Sequence, residues 1–169
     1  DLCASRGLGD VYKRQLLRRA TGVSAHDYLH SKLLQPLGLE NAGLWLDATG
    51  QHPMTYCCID LKPDDFLKFG LLYARQGEWN DTQVVPASYV RESLSSHSAF
   101  YGYQWWLLND AYFSSEVPIT VYAASGLHGQ KIYVWPAADV VVVVLTQYQH
   151  FANQGYVLDL SDEGTNFPN

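Results

Sequence analysis

His26 and His30 lie four residues apart in His26-Asp27-Tyr28-Leu29-His30, the spacing at which two imidazoles on one helix face hold a zinc ion. A metalloprotease has Glu beside its first histidine where this segment has Asp27, and no third ligand stands in a convincing place. The pair reads as two solvated histidines in the first turn of a helix opening at Ser24-Ala25, and no metal is expected. Cys57 and Cys58 could act as a thiol nucleophile or a ligand pair. Free cysteine is more often a small buried hydrophobe, and adjacent cysteines rarely bridge each other, so core packing is expected for both. With Cys3 the total is odd and no C-x-x-C exists, which makes a disulfide framework improbable. No serine stands in G-x-S-x-G, and none has a lysine three positions after it, so the chain contains no recognisable activated nucleophile. The stretch Ala124-Ser125-Gly126-Leu127-His128-Gly129-Gln130 is the most informative one. Two glycines in a strand-rich region mark a bend or a close approach to the backbone, and local chemistry alone reads it as a hairpin or bulge.

The elements that must position these residues follow from pattern. Leu16, Leu17 and Ala20 share a helix face, and Gly22 ends it. Residues 1–14 show no sustained period and contain two glycines, so neither helix nor strand is expected there. Ser24 reads as an N-cap with Asp27 in the capping-box place, and Tyr28, Leu29, Lys32 and Leu33 carry a short helix to Gln35 before Pro36-Leu37-Gly38. Residues 40–59 look like loop. Pro63 suits the first helical position, Asp64 and Asp65 suit its positive end, and Phe66, Phe69, Leu72 and Tyr73 form one apolar face up to a stop at Gly77. Asn80-Asp81 makes a turn, and Pro86 opens another short helix through Ser93.

The last third changes period. Residues 101–108, 121–124, 131–135 and 140–146 are strand-like, with Pro136-Ala137-Ala138-Asp139 as a turn. Val140 to Leu145 is apolar throughout and is expected to be a central strand covered on both faces. Helices followed by neighbouring strands on short turns indicate an α+β fold with an antiparallel sheet. The 169 residues make one domain or a piece of a larger one. A net charge of −6 with no basic stripe excludes the usual electrostatics of nucleic-acid binding. No apolar run approaches the ~20 residues of a membrane span, and residues 1–15 lack the apolar core of a signal peptide.

Several stretches, taken in order, carry a resemblance. They are Leu33-Leu34-Gln35-Pro36-Leu37-Gly38-Leu39-Glu40, Asp65-Phe66-Leu67-Lys68-Phe69-Gly70-Leu71-Leu72, Gly77-Glu78-Trp79-Asn80, Tyr101-Gly102-Tyr103-Gln104-Trp105-Trp106, and Gly126-Leu127-His128-Gly129-Gln130 followed by Tyr133-Val134-Trp135-Pro136. Together they resemble the bacterial serine β-lactamase-related hydrolases, in the branch of class C β-lactamases, esterases and 6-aminohexanoate-dimer hydrolase. The resemblance runs from about Gln15 to Tyr148. It implies a β-lactamase/penicillin-binding-protein-like α+β fold, with an antiparallel sheet flanked by helices. Here only its C-terminal part would be present: residues 15–100 as the helical and loop region, 101–148 as the strands, and 149–169 as a tail.

The resemblance also implies a mechanism. A serine of S-x-x-K, activated by its lysine and by a tyrosine of a second motif, attacks an ester or amide carbonyl, and water releases the acyl group. No cofactor is implied. Ala124-Ser125-Gly126 takes the place of the Lys-Thr-Gly of β-lactamases without its Lys and Thr, which puts β-lactam turnover in doubt. The backbone N–H of Leu127 would be an oxyanion-hole donor, a role worth ~3–4 kcal/mol of barrier. Gly126 would let the substrate lie against the strand, Ala124, Ser125 and Gly129 would flank it, and His128 would either line the site or fix the following turn. Tyr103, Trp105 and Trp106 read as packing. The partner would be a small-molecule or peptide-like ester or amide. The alternative within the same fold is a non-catalytic penicillin-binding-like protein that holds peptidoglycan or peptide. Relatives are commonly periplasmic or membrane-anchored. The motif tyrosine should lie just before Gln15, where Gly7-Leu8-Gly9-Asp10 does not match and Tyr12 sits too close. Residues 1–14 are therefore expected to be a non-native tail, with nucleophile and base missing from the chain.

Overall fold

The computed structural model describes residues 2–55, 57–98, 100–108, 120–126, 129–146, 150 and 153–155, with side chains from residue 12 onward. Helix α1 (Leu2–Thr21) is longer than the periodicity predicts and runs through residues 14 and 15 without a break. No proline interrupts it, and the isolated glycines Gly7 and Gly9 each cost about 1 kcal/mol without forbidding the helical ladder. Gly22 ends α1 at φ +78°, its N–H bonded to the Arg18 carbonyl at 2.8 Å. Helix α2 (Ala25–Leu29) starts as expected, with Ser24 Oγ accepting the Asp27 N–H at 3.1 Å. The short Asp27 carboxylate takes the Ser24 hydroxyl at 2.7 Å. From His30 to Leu34 the helix widens into a π-turn, and Gln35 N–H reaches back five residues to the His30 carbonyl.

The segment expected to be loop is mostly that, pinned by a short antiparallel ladder of β1 (Gly43–Leu44) and β2 (Ile59–Asp60). Cys57 and Cys58 depart from expectation. They are disulfide-bonded to each other, Cys57 is exposed and Cys58 half-buried. The burial that would make them core thiols is missing because they sit on a surface connection entering β2.

Helix α3 (Pro63–Ala74) has the predicted bounds to within a turn. Its end is a Schellman motif: Gly77 N–H bonds the Leu72 carbonyl at 2.7 Å and Gln76 N–H bonds the Tyr73 carbonyl at 3.2 Å. The left-handed residue that turns the chain out is Gln76 at φ +54°, one position before the glycine. Gly77 is needed because a Cβ there would overlap the Val85 carbonyl. A small hairpin of β3 (Glu78–Trp79) and β4 (Thr82–Gln83) follows, then α4 (Ala87–Ser93) with Pro86 at its N-cap.

The main sheet is antiparallel and ordered β5 (Trp106–Leu108), β6 (Val121–Ser125), β7 (Lys131–Trp135), β8 (Val140–Val144). Helix α3 packs across β7 and β8. Between them lies a core of Tyr73, Val90, Leu94, Trp105, Ile132 and Val134, edged by Phe69, Tyr122, Ala124, Val141 and Val143. Tyr73 tilts against Trp105 with ring centroids 4.6 Å apart, and burial pushes its hydroxyl pKa up. A second cluster of Leu34, Leu37, Leu39 and Leu72 joins the α2 region to α3. Strand β8 is an edge strand among the described residues, not a central one. Val141 and Val143 face α3, while Val140, Val142 and Val144 are 42%, 47% and 37% exposed on the other face. An all-valine run has no polar alternation, so its sequence cannot tell a two-sided burial from a bare face.

Candidate functional site

The β6–β7 hairpin carries the residues singled out above. Its strands pair from Tyr122↔Val134 to Ser125↔Lys131. Gly126 N–H then donates to the Gln130 carbonyl at 2.7 Å, and Gly129 N–H donates to the Gly126 carbonyl at 3.1 Å. Gly129 has φ +84° where the chain enters β7. Gly129 is there for its left-handed backbone. Gly126 is exposed, and a Cβ on it would come within 2.7 Å of the Gln130 side-chain Oε1, so Gln130 lies over that face of the glycine.

Ala124 and Ser125 alternate across the sheet. Ala124 packs on the core under α3, while Ser125 is exposed on the opposite face. In an antiparallel ladder, bonded and non-bonded pairs alternate. Because Gly126 bonds Gln130, Ser125 and Lys131 form a non-bonded pair, and the Ser125 N–H and C=O point away from β7. Strand β5 covers that edge of β6 only from Val121 to Ala123. Beyond Ala123 the chain before β5 turns away at Gln104 (φ +67°), and among the described residues no strand pairs with the Ser125 edge. An extended acyl or peptide group could pair there in the manner of an added strand. Leu127 and His128 lie outside the described residues. Strand β6 itself ends at Ser125, two positions before Leu127.

The other candidates lie on other elements of the fold. His26 and His30 stack with centroids 6.5 Å apart, and His26 Nδ1 meets Asp27 Oδ1 at 3.2 Å. The Ser24 hydroxyl first, then His26, holds the Asp27 carboxyl below the usual range. Among the described residues no three His, Cys, Asp or Glu side chains gather to hold a metal ion. Trp105 is buried in the core, Trp106 meets Tyr101 edge-on at 4.8 Å, and Tyr103 stacks on His97 at 4.3 Å. Arg14 reaches Asp47 at 3.3 Å, linking α1 to the turn after β1. The Thr49 hydroxyl, with Arg14, holds the Asp47 carboxyl down at about 2.

A cluster that sequence reading missed is Glu92, Ser95 and His97 after α4. Ser95 Oγ lies 3.1 Å from His97 Nε2, and Glu92 Oε1 lies 3.4 Å from the same nitrogen. A nucleophile–base–acid relay needs the serine on one ring nitrogen and the acid on the other. Here both meet Nε2, together with the Glu92 carbonyl at 2.9 Å, and Ser95 Oγ donates to that carbonyl at 2.7 Å. The cluster therefore caps the C-terminal carbonyls of α4. Its signal, a Ser and a His just past a helix end, was in the sequence but is common to many caps.

No family model matches the sequence, and no curated protein does. Among solved structures, the chain is similar to a Bacillus anthracis protein provisionally assigned as a 6-aminohexanoate-dimer hydrolase. The TM-score is 0.63 at 20% identity, covering 84% of this chain and 39% of that one. At this identity the likeness is one of fold: helices on an antiparallel sheet in the β-lactamase-like arrangement. The chain spans about two-fifths of the length of that neighbour.

Proposed function

We propose that this chain is the C-terminal part of a serine hydrolase of the β-lactamase-like type, cleaving ester or amide bonds through an acyl-serine intermediate. The observation that carries the reading is the shared fold together with a strand edge at Ser125 that no strand covers among the described residues, next to the exposed Gly126. In this reading the substrate's acyl group lies along Ser125 and Gly126. The Leu127 N–H donates to the carbonyl oxygen as it gains charge, a preorganised donor that needs no movement at the moment of reaction. Gly126, which carries no side chain, would leave room for the acyl group once the Gln130 side chain that lies over it moves aside. The Leu127 and His128 roles rest on the sequence resemblance.

The serine that attacks and the base that activates it are supplied in this reading by sequence outside these 169 residues, since no Ser here precedes a Lys by three positions. An oxyanion donor without a nucleophile has no charge to stabilise. Purified 169-residue chain is expected to turn over p-nitrophenyl butyrate no faster than a heat-killed control. Turnover above that control would show that the nucleophile lies within the chain and would contradict the reading.

A further inference from the structure

Cys57 and Cys58 form a bridge between neighbouring residues on the protein surface. A disulfide stabilises mainly by closing a long loop in the unfolded chain, and a ring of two adjacent residues closes almost none. What it constrains is the main chain between them. Cys58 has φ +80°, a region that L side chains rarely adopt. Its carbonyl accepts the Trp45 N–H at 3.0 Å, extending the β1–β2 ladder one residue beyond Leu44↔Ile59. Trp45 is held from two further sides: its carbonyl accepts the Met54 N–H at 2.9 Å, and its indole N–H donates to Asp60 Oδ2 at 2.8 Å. The backbone of the bridged pair thus sets one of the bonds that fasten the 43–60 segment. Cys57 is exposed, so a thiolate from solution can reach its sulfur.

We propose that Cys57–Cys58 is a redox-active site for small dithiols, and that its two states hold or release Trp45. The exchange balances as follows. A dithiol's thiolate attacks Cys57 Sγ, breaking the bridge, forming a mixed disulfide and releasing Cys58 as the thiolate. The reductant's second thiolate attacks its own sulfur in the mixed disulfide and expels Cys57. Two electrons pass to the protein, both cysteines take up protons, and the reductant leaves as a cyclic disulfide. With the ring open, Cys58 returns to negative φ, and its carbonyl turns away from the Trp45 amide.

The test equilibrates the chain in oxidised or reduced dithiothreitol, alkylates it with iodoacetamide, and reads peptide masses and amide hydrogen exchange. In the oxidised buffer, the peptide containing Cys57 and Cys58 should carry no alkyl group and weigh two hydrogens less. In the reduced buffer it should carry two alkyl groups, and the Trp45 amide should exchange at least ~10-fold faster while α3 amides stay unchanged. The Cys57→Ser/Cys58→Ser variant should exchange fast at Trp45 in both buffers. Double alkylation in the oxidised buffer overturns the bridge. Trp45 exchange indifferent to the buffer, or rising together with the α3 amides, overturns the switch.

Discussion

Gly70 shows how one residue sets the distance between two elements. It sits inside α3, where alanine would favour the helix by about 1 kcal/mol. A Cβ at this position would overlap Val141 Cγ1 and come within 3.1 Å of Ile132 Cγ2, so the bare backbone lets α3 lie close on β7 and β8. Gly70→Ala should therefore destabilise despite its better propensity, by ~1–3 kcal/mol from overpacking. Urea denaturation checks this, and a variant as stable as the parent would mean that the helix shifts without cost. The sequence signalled the apolar face of α3 through Phe66, Phe69, Leu72 and Tyr73, but gave no sign that Gly70 was the contact point. Cys57 and Cys58 were harder to read for a different reason. Whether adjacent thiols bridge depends on the backbone angle at Cys58, which nothing in composition or spacing reports.

At the scale of elements, what could be read was what short-range chemistry decides. Ser24 at a helix start, Pro63 in a first turn, Gly77 at a helix end and Pro136 in a turn each act within a few residues, and each is where pattern placed it. The stretch 131–135 is likewise found as strand β7. Where a strand sits within its sheet is decided by partners far along the chain, and so pattern alone puts β8 at the centre although among the described residues it lies at an edge. The edge beside Ser125, unpaired among the described residues, is out of reach of pattern for the same reason, because it depends on where β5 stops. The edge position of β8 has a consequence for solubility. Five valines in a row with no proline or charge, unpaired on one side among the described residues and bare at Val140, Val142 and Val144, form a template for another copy of the chain. The isolated chain should self-associate, and Val142→Lys, whose charge faces away from α3, should reduce this several-fold. Light scattering at matched concentration checks it; equal association of the two proteins would place the sticky surface elsewhere.

At the scale of the whole molecule, the described residues include a sheet with α3 packed on one face and an exposed Gly126 where β6 ends. No described helix is long and apolar enough to cross a membrane. The fold matches part of a neighbour more than twice its length; in the reading proposed here, the chemistry would belong to a larger protein with this hairpin as one wall of the site. The most direct test uses that larger protein, expressed from the gene extended upstream of Gln15, with p-nitrophenyl butyrate as substrate. In the proposed reading, Gly126→Val adds a branched side chain beside the oxyanion donor, on the face that Gln130 lies over. Loss of one such donor lowers kcat by ~10²–10³. The account predicts a fall of that size, with the variant as well folded as its parent by circular dichroism. A folded variant with unchanged kcat would contradict it.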